Sequence, residues 1–191
     1  LDYVMCAITG LDGLEPTLDI IQLTKRIAIA NKESIICGWN LIKSKLKKYK
    51  TEFIPIDSEH FSIFELIKND KPENIKKIYI TASGGPFLNI DKSKLSKFVP
   101  KNAIKHPTWK MGKKISIDSS TLINKVYELI EAKKIFELDF NKLEIIIQPT
   151  SYIHGVVMFN NGFCKILSHP TSMKIPIYNS LSFNKKIIKI S

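Results

Sequence analysis

Phe53-Ile54-Pro55-Ile56-Asp57-Ser58-Glu59-His60 is an apolar run of strand character that stops at two carboxylates. Open parallel sheets hold their ligands just outside the carboxyl ends of the strands, so a strand that ends on Asp57 and Glu59 points both to an α/β fold and to the rim of a site. Upstream, Val4–Ile8 reads as a strand, Leu14–Leu23 as a helix with Pro16 in its first turn, Arg26–Ala30 as a short buried strand, and Asn31–Lys48 as a helix. Downstream, a helix over Phe61–Lys68 leads to a strand over Ile75–Ile80. Strands that alternate with helices imply βαβ units and a largely parallel sheet.

The pattern changes after a turn-rich segment, Thr81-Ala82-Ser83-Gly84-Gly85-Pro86-Phe87. Asn89–Lys105 is polar and irregular, with one short helix expected at Lys92–Phe98. A strong helix is predicted over Thr121–Phe136 with Ser119 or Ser120 as its N-cap. Three β runs follow at Leu143–Ile147, Tyr152–Phe159 and Gly162–Leu167, the last two joined by the hairpin signal Asn160-Asn161-Gly162. This half reads as α+β.

Composition limits the function classes. The 191 residues are 44% hydrophobic and 25% charged, the profile of an ordinary globular protein. No apolar run approaches the roughly 18 residues that a membrane span needs, and the start lacks the features of a signal peptide, so a cytoplasmic or organelle-matrix location is expected. The chain opens on Leu1 within a strand-like segment and reads as a fragment. Cys6, Cys37 and Cys164 are widely spaced in apolar stretches and read as reduced, buried thiols with no chemical role. The net charge of +11 raises a nucleic-acid reading. The lysines are scattered, however, Arg26 is the sole arginine, and Lys43–Lys50 reads as the solvated face of a helix with apolar members Leu41, Ile42 and Leu46. The surplus charge fits better with the attraction of a small anionic substrate.

Three groups of residues carry chemistry. Asp57 and Glu59 bend toward one cation if the strand ends at Asp57, and hard divalent ions prefer such oxygen ligands; the competing reading makes Asp57 and Ser58 helix caps. Asn124, Glu128 and Glu131 stand at i, i+4 and i+7 and share a helix face, with Leu122, Val126, Leu129 and Ile130 assigned to the buried side. The competing reading there is an ordinary solvated polar face. Ser83-Gly84-Gly85-Pro86 fits an anion-binding turn, although such a sequence also occurs in everyday loops.

Together with Ala30-Asn31-Lys32-Glu33-Ser34, Ile56–His60, Ala82–Phe87, His106–Ser119 and Asn124-Lys125 with Glu128, these segments closely resemble 1-deoxy-D-xylulose 5-phosphate reductoisomerases, in the order those enzymes have them. The resemblance runs from about Asp2 to Leu181 and corresponds to the middle of that family's sequence. It implies the C-terminal part of a Rossmann-like parallel-sheet, NADPH-binding domain at residues 1–56, followed by an α+β catalytic domain that binds metal and substrate at 57–191, with the family's C-terminal helical domain absent. It implies NADPH-dependent, divalent-metal-dependent rearrangement and reduction of 1-deoxy-D-xylulose 5-phosphate to 2-C-methyl-D-erythritol 4-phosphate in the non-mevalonate route to isoprenoids.

By the same resemblance, Asp57, Glu59 and Glu128 bind Mg²⁺, Mn²⁺ or Co²⁺ and, with Lys32, form the catalytic set. Lys32, Ser58, Glu59, Ser83, His106, Trp109, Ser119, Asn124, Lys125, Glu128 and His154 meet the substrate, with His106, Trp109 and Met111 on a loop that closes over it. Asn31, Lys32, Glu33, Met111, Gly112 and Met173 meet the cofactor. A homodimer is implied for the full-length protein, located in a bacterial cytoplasm or a plastid stroma, with neither nucleic acid nor membrane as partner. The isolated chain is expected to be inactive, because the family's glycine-rich cofactor fingerprint is not in it. Two departures stand out: Val126 where the family has Gly, expected to crowd the phosphate turn, and Gln148 in place of a histidine before Pro149. The reading from a different class is a non-catalytic anion or nucleic-acid binder that uses the basic surface.

Overall fold

A computed structural model of the chain describes residues 1–104, 109 and 112–181, so His106 and Met111 lie outside the described residues. Strands β1 (Val4–Cys6), β2 (Arg26–Ile29) and β3 (Glu52–Pro55) form a parallel sheet in that order. Helix α1 (Leu14–Ile20), prolonged by a 3₁₀ turn at Ile21–Leu23, and helix α2 (Lys32–Tyr49) are its crossovers. The central strand β2 is covered on both faces, which is why Ile27-Ala28-Ile29 is apolar without alternation. Ile27 and Ile29 pack on Ile35, Trp39 and Ile42 of α2, while Ala28 packs on the opposite side with Ile54, Ile56 and Phe61. On α2 the lysine-rich end faces solvent as expected; Ile42 is buried, but Leu41 is exposed.

Helix α3 (Ser58–Ile67) follows, three residues earlier than the sequence suggests, because Asp57 accepts a hydrogen bond from Glu59 N at 3.0 Å and caps it. Strand β4 (Ile75–Ala82) does not extend the parallel sheet. A 3₁₀ turn at Lys92–Lys97 and helices α4 (Pro100–Ala103), α5 (Lys113–Ser120) and α6 (Ile123–Phe136) come next, then β5 (Leu143–Ile147), β6 (Ile153–Phe159), β7 (Cys164–Ser168) and α7 (Lys174–Leu181). The second sheet has the order β5-β4-β6-β7; β4 runs parallel to β5 and antiparallel to β6. A hairpin at Asn160-Asn161-Gly162 joins β6 to β7, with Gly162 at φ +88°.

Ile63 of α3 and Ala132 and Phe136 of α6 pack on Ile75, Ile78 and Ile80 of β4. Gly155 lets α3 approach β6: a Cβ there would sit 3.1 Å from the Ile63 side chain. Ile135 packs against the cores of both sheets, so one apolar interior runs through the two. All three cysteines are free, as expected, but the expectation that they are buried fails. Cys37 is on the outer face of α2 and Cys164 on the edge strand β7, both exposed, while Cys6 is half-buried; apolar neighbours in sequence did not decide which way those side chains point. No helix among the described residues is long and apolar enough to cross a membrane.

Candidate active site

A cleft of about 280 Å³ opens where β2, β3, β4 and β5 reach their carboxyl ends, and antiparallel β6 contributes its beginning. Lys32 follows β2, Asp57 follows β3, Ser83 follows β4, Gln148 follows β5 and His154 opens β6; all five line the cleft. The two sheets thus deliver their ligand-binding ends to one place.

Asp57, Glu59 and Glu128 each offer a carboxylate oxygen within 4.8 Å of the others. Octahedral Mg²⁺, with bonds of roughly 2.1 Å, sets neighbouring ligand oxygens about 3 Å apart and opposite ones about 4 Å apart, so side-chain movements on the order of an ångström bring this set onto one ion. Asp57 thus fills both roles weighed from the sequence, capping α3 and facing the cluster. Ser58 Oγ donates to Glu59 Oε2 at 2.5 Å. Lys125 Nζ lies 2.9 Å from Glu59 Oε1 and 2.5 Å from Glu128 Oε2. A second chain of contacts runs from Lys32, which donates to Asn124 Oδ1, to the Asn124 amide, which donates to Glu128 Oε1. His60 ties the two carboxylate-bearing helices together: Nε2 donates to the Glu128 carbonyl at 2.9 Å, and Nδ1 faces Asp57 Oδ1 at 3.5 Å.

Helix α6 explains why the polar face points inward. A single helix from Thr121 was expected, with its N-cap at Ser119 or Ser120. Instead α5 ends at Ser120, and Leu122 at φ +60° makes a break without a side-chain cap. The break turns α6 so that Asn124, Lys125, Glu128 and Glu131 are buried, while Leu122 and Val126, assigned from the sequence to the buried side, are 40% and 44% exposed. Side-chain polarity alone therefore predicts the wrong face. Burying charge is tolerated here because the groups face one another.

The electrostatics record an excess of negative charge. Asp57, Glu59, Glu128 and Glu131 confront Lys32 and Lys125, so before His60 is counted two carboxylate charges lack a partner, the charge of one dication. Burial raises Glu128 to about 8 against the pull of Lys125, with Glu59 and Asp57 adding to the rise. Glu131 is raised to about 7, mainly by burial, against the pull of His60. Glu59 is raised as well, by burial and by Asp57 against the pull of Lys125. Burial also works against the Asp57 carboxylate, but His60 and Lys32 outweigh it and hold Asp57 well below the usual range. Burial lowers Lys125, yet Glu128 and Glu59 raise it further than burial lowers it. Oxygen donors in this number, with this charge, suit a hard divalent ion.

Ser83 and Ser119 also line the cleft. Gly84 and Gly85 take φ of +87° and +68°, and a Cβ on Gly85 would fall 2.9 Å from the Ser119 carbonyl oxygen, so the Ser-Gly-Gly turn is docked on the end of α5. Trp109, His154 and Met173 also line the cleft. Asn31 does not: its Oδ1 accepts from Ser34 N and its amide donates to Gly10 O, so it caps α2 and holds the β1 loop. Glu33 lies outside the lining and pairs with Lys114 at 3.7 Å, and Gly112 is the exposed N-cap of α5. Val126 is 44% exposed and is not among the residues that line the cleft. Gln148 takes the Tyr152 N–H on Oε1 at 3.1 Å and donates to Thr150, which holds the turn beneath the cleft. Sequence reasoning passed over His60, whose i+3 offset from Asp57 was the available signal, and Ser151, a cleft residue at φ +55° for which there was none.

Two family models match the chain: 1-deoxy-D-xylulose 5-phosphate reductoisomerase over residues 1–38, and the C-terminal domain of the same enzyme over residues 53–136. A 1-deoxy-D-xylulose 5-phosphate reductoisomerase from Pelagibacter ubique is 65% identical over 96% of this chain and 47% of its own length. One from Treponema denticola is 47% identical over 96% of the chain and 48% of its own. The chain spans about half the length of the curated relatives it matches. A crystal structure of DOX-P reductoisomerase in complex with NADPH, fosmidomycin and magnesium superposes with a TM-score of 0.90 at 37% identity, over 98% of this chain and 48% of that one. The Zymomonas mobilis enzyme in complex with NADPH gives 0.89 at 36% identity, with the same coverage. Sequence, topology and the placement of the motifs around one cleft agree: the chain belongs to the 1-deoxy-D-xylulose 5-phosphate reductoisomerase family.

Proposed function

We propose that this chain supplies the metal and substrate site of an enzyme that rearranges 1-deoxy-D-xylulose 5-phosphate and reduces the product with NADPH to 2-C-methyl-D-erythritol 4-phosphate, a step of non-mevalonate isoprenoid synthesis. The observation that carries the reading is the convergence of Asp57, Glu59 and Glu128 in a cleft that Ser83 and Ser119 also line. Residues 1–56 contribute to the NADPH-binding unit and 57–191 form the catalytic unit, in a homodimer of the full-length protein. The magnesium and NADPH found with the solved relatives support the cofactor assignment.

A divalent ion bound by the three carboxylates supplies Lewis acidity to substrate oxygens. The chain's own residues do the rest. Ser83, Ser119 and the backbone N–H groups of the glycine turn hold the phosphate, where donors on a rigid turn cost little to order. Asn124 and Lys32 place an amide and an ammonium beside the carboxylates, to orient hydroxyl and carbonyl oxygens. Trp109 closes the apolar side, and Met173, seated on the Ile54–Phe61 core, borders the cofactor's approach. Water kept out of such a site strengthens every charge contact inside it.

The deciding assay is substrate-dependent oxidation of NADPH, with and without Mg²⁺ or Mn²⁺, by a protein that carries this chain at the length of its relatives. A protein with no metal-dependent signal would refute the reading. The alternative, an anion or nucleic-acid binder, separates on Asp57→Asn: the enzyme reading expects Mn²⁺ binding to fall at least about 100-fold, whereas a polyanion binder would hold its ligand at least as tightly.

A further inference from the structure

Outside the carboxylate cluster, two histidines lie face to face. The rings of His154 on β6 and His169 just after β7 have centroids 3.7 Å apart and planes 11° apart, and the Trp109 ring meets His154 edge-on at 5.9 Å and 79°. Both histidines are buried, at 1% and 8% exposure, and His154 lines the cleft. A backbone carbonyl only accepts hydrogen bonds, so it fixes which ring nitrogen bears hydrogen. His154 Nε2 donates to the His169 carbonyl at 3.0 Å, and His169 Nδ1 donates to the Pro170 carbonyl at 2.7 Å. In the neutral ring of His154, Nδ1 is therefore an acceptor.

We propose that His169 is a positioning residue: with its ring against His154 and its carbonyl on His154 Nε2, it fixes a neutral, acceptor-bearing imidazole in the cleft wall and the surface on which Trp109 rests. That this acceptor serves a substrate hydroxyl rests on the function proposed above; the stack itself does not. Three elements bring charge toward His154, namely His169 from the segment after β7, Asp57 from the head of α3 and Lys125 from α6. Burial and the facing His169 lower His154 to about 4, against the raising effect of the His169 carbonyl and Asp57, so the ring is uncharged at neutral pH. Burial lowers His169 too, opposed by the Pro170 carbonyl.

The stack can be tested in the chain without substrate, so its failure and the failure of the reductoisomerase reading are distinguishable. Long-range ¹H–¹⁵N spectra, assigned with a His154→Asn variant, should show His154 as the Nε2–H tautomer; an Nδ1–H tautomer overturns the proposal without any change at His169. In a Trp39→Phe background Trp109 is the reporter, because a charged imidazolium quenches a neighbouring indole. Between about pH 5 and 7 its emission should stay flat in the parent and fall in His169→Ala, as His154 moves toward the ordinary imidazole value. His169→Phe, which stacks but does not titrate, should restore the flat profile. A flat profile in His169→Ala, or a fall in His169→Phe equal to that in His169→Ala, overturns the proposal.

Discussion

Lys32 stands at the first position of an eighteen-residue helix, where the positive end of the helix dipole disfavours a cation. The carboxylates of Asp57, Glu128 and Glu131 reverse that balance and raise Lys32 despite its burial. A residue that breaks a local rule with a nearby compensation is the mark of a site. Glu128 gives the sharpest prediction. Its folded value, about 8, is above the ordinary carboxylate value of 4.5, so between these limits the folded, metal-free chain binds more protons than the unfolded one. Stability without metal must then fall as pH rises through that window, with Glu131 contributing up to about 7. Divalent-ion affinity must rise over the same window and level off above about 8, because binding displaces the proton; calorimetry with Mg²⁺ in two buffers of different ionisation enthalpy reads both terms. Glu128→Gln separates binding from stability: it should abolish metal binding yet, near pH 8, raise the metal-free unfolding free energy by about 1–3 kcal/mol. A less stable variant would show that Lys125 depends on Glu128 more than the crowded carboxylates suffer from it. At this scale the sequence was readable wherever a motif names the residue, as with Asp57, Glu59 and Glu128. It was silent on His169, whose role depends on a contact fifteen residues away across a hairpin.

The elements show where pattern reasoning holds and where it fails. β2 is identified by its apolar run, a local signal, whereas α3 is found but begins three residues earlier than read, at the Asp57 cap that the sequence offered only as the competing reading. The face of α6 is not identified, because Leu122 at φ +60° re-aims the helix and tertiary burial of paired charges overrides its amphipathic pattern. Two substitutions test this. Val126→Gly restores the residue usual in the family at an outward position; it should cost about 1 kcal/mol of helix stability and leave ion binding unchanged. A gain in phosphate or substrate affinity would mean that Val126 does reach the cleft. Gly85→Ala meets both a φ of +68° and the Ser119 carbonyl at 2.9 Å, so it should destabilise by about 1–3 kcal/mol and weaken inorganic phosphate binding while Mn²⁺ binding persists. Loss of both together would place the glycine turn in the metal site itself.

Across the whole molecule, the sequence gives two sheets' worth of strands but not their membership, since periodicity cannot say that β4 leaves the parallel sheet to become the centre of the mixed one. What joins the two halves is visible only in space: Ile135 packs into both cores, and Lys32 from the first half donates to Asn124 in the second, which in turn donates to Glu128 of the metal-facing carboxylates. A divalent ion gripped by those carboxylates should therefore stabilise strands it does not touch. Near pH 8, Mg²⁺ at about 100 times its dissociation constant adds about 2.7 kcal/mol to the free energy of any opening that disrupts the site. If the chain opens as one cooperative unit, amide exchange at Ile27–Ile29 of β2 and at Ile78–Ile80 of β4 slows by the same factor, about 100-fold. Ile135→Ala removes the packing that both cores share. In that variant the protection that Mg²⁺ confers on β4 should persist while that on β2 diminishes. Equal protection of both strands in the variant would assign the coupling to Lys32 and Asn124 and remove Ile135 from it.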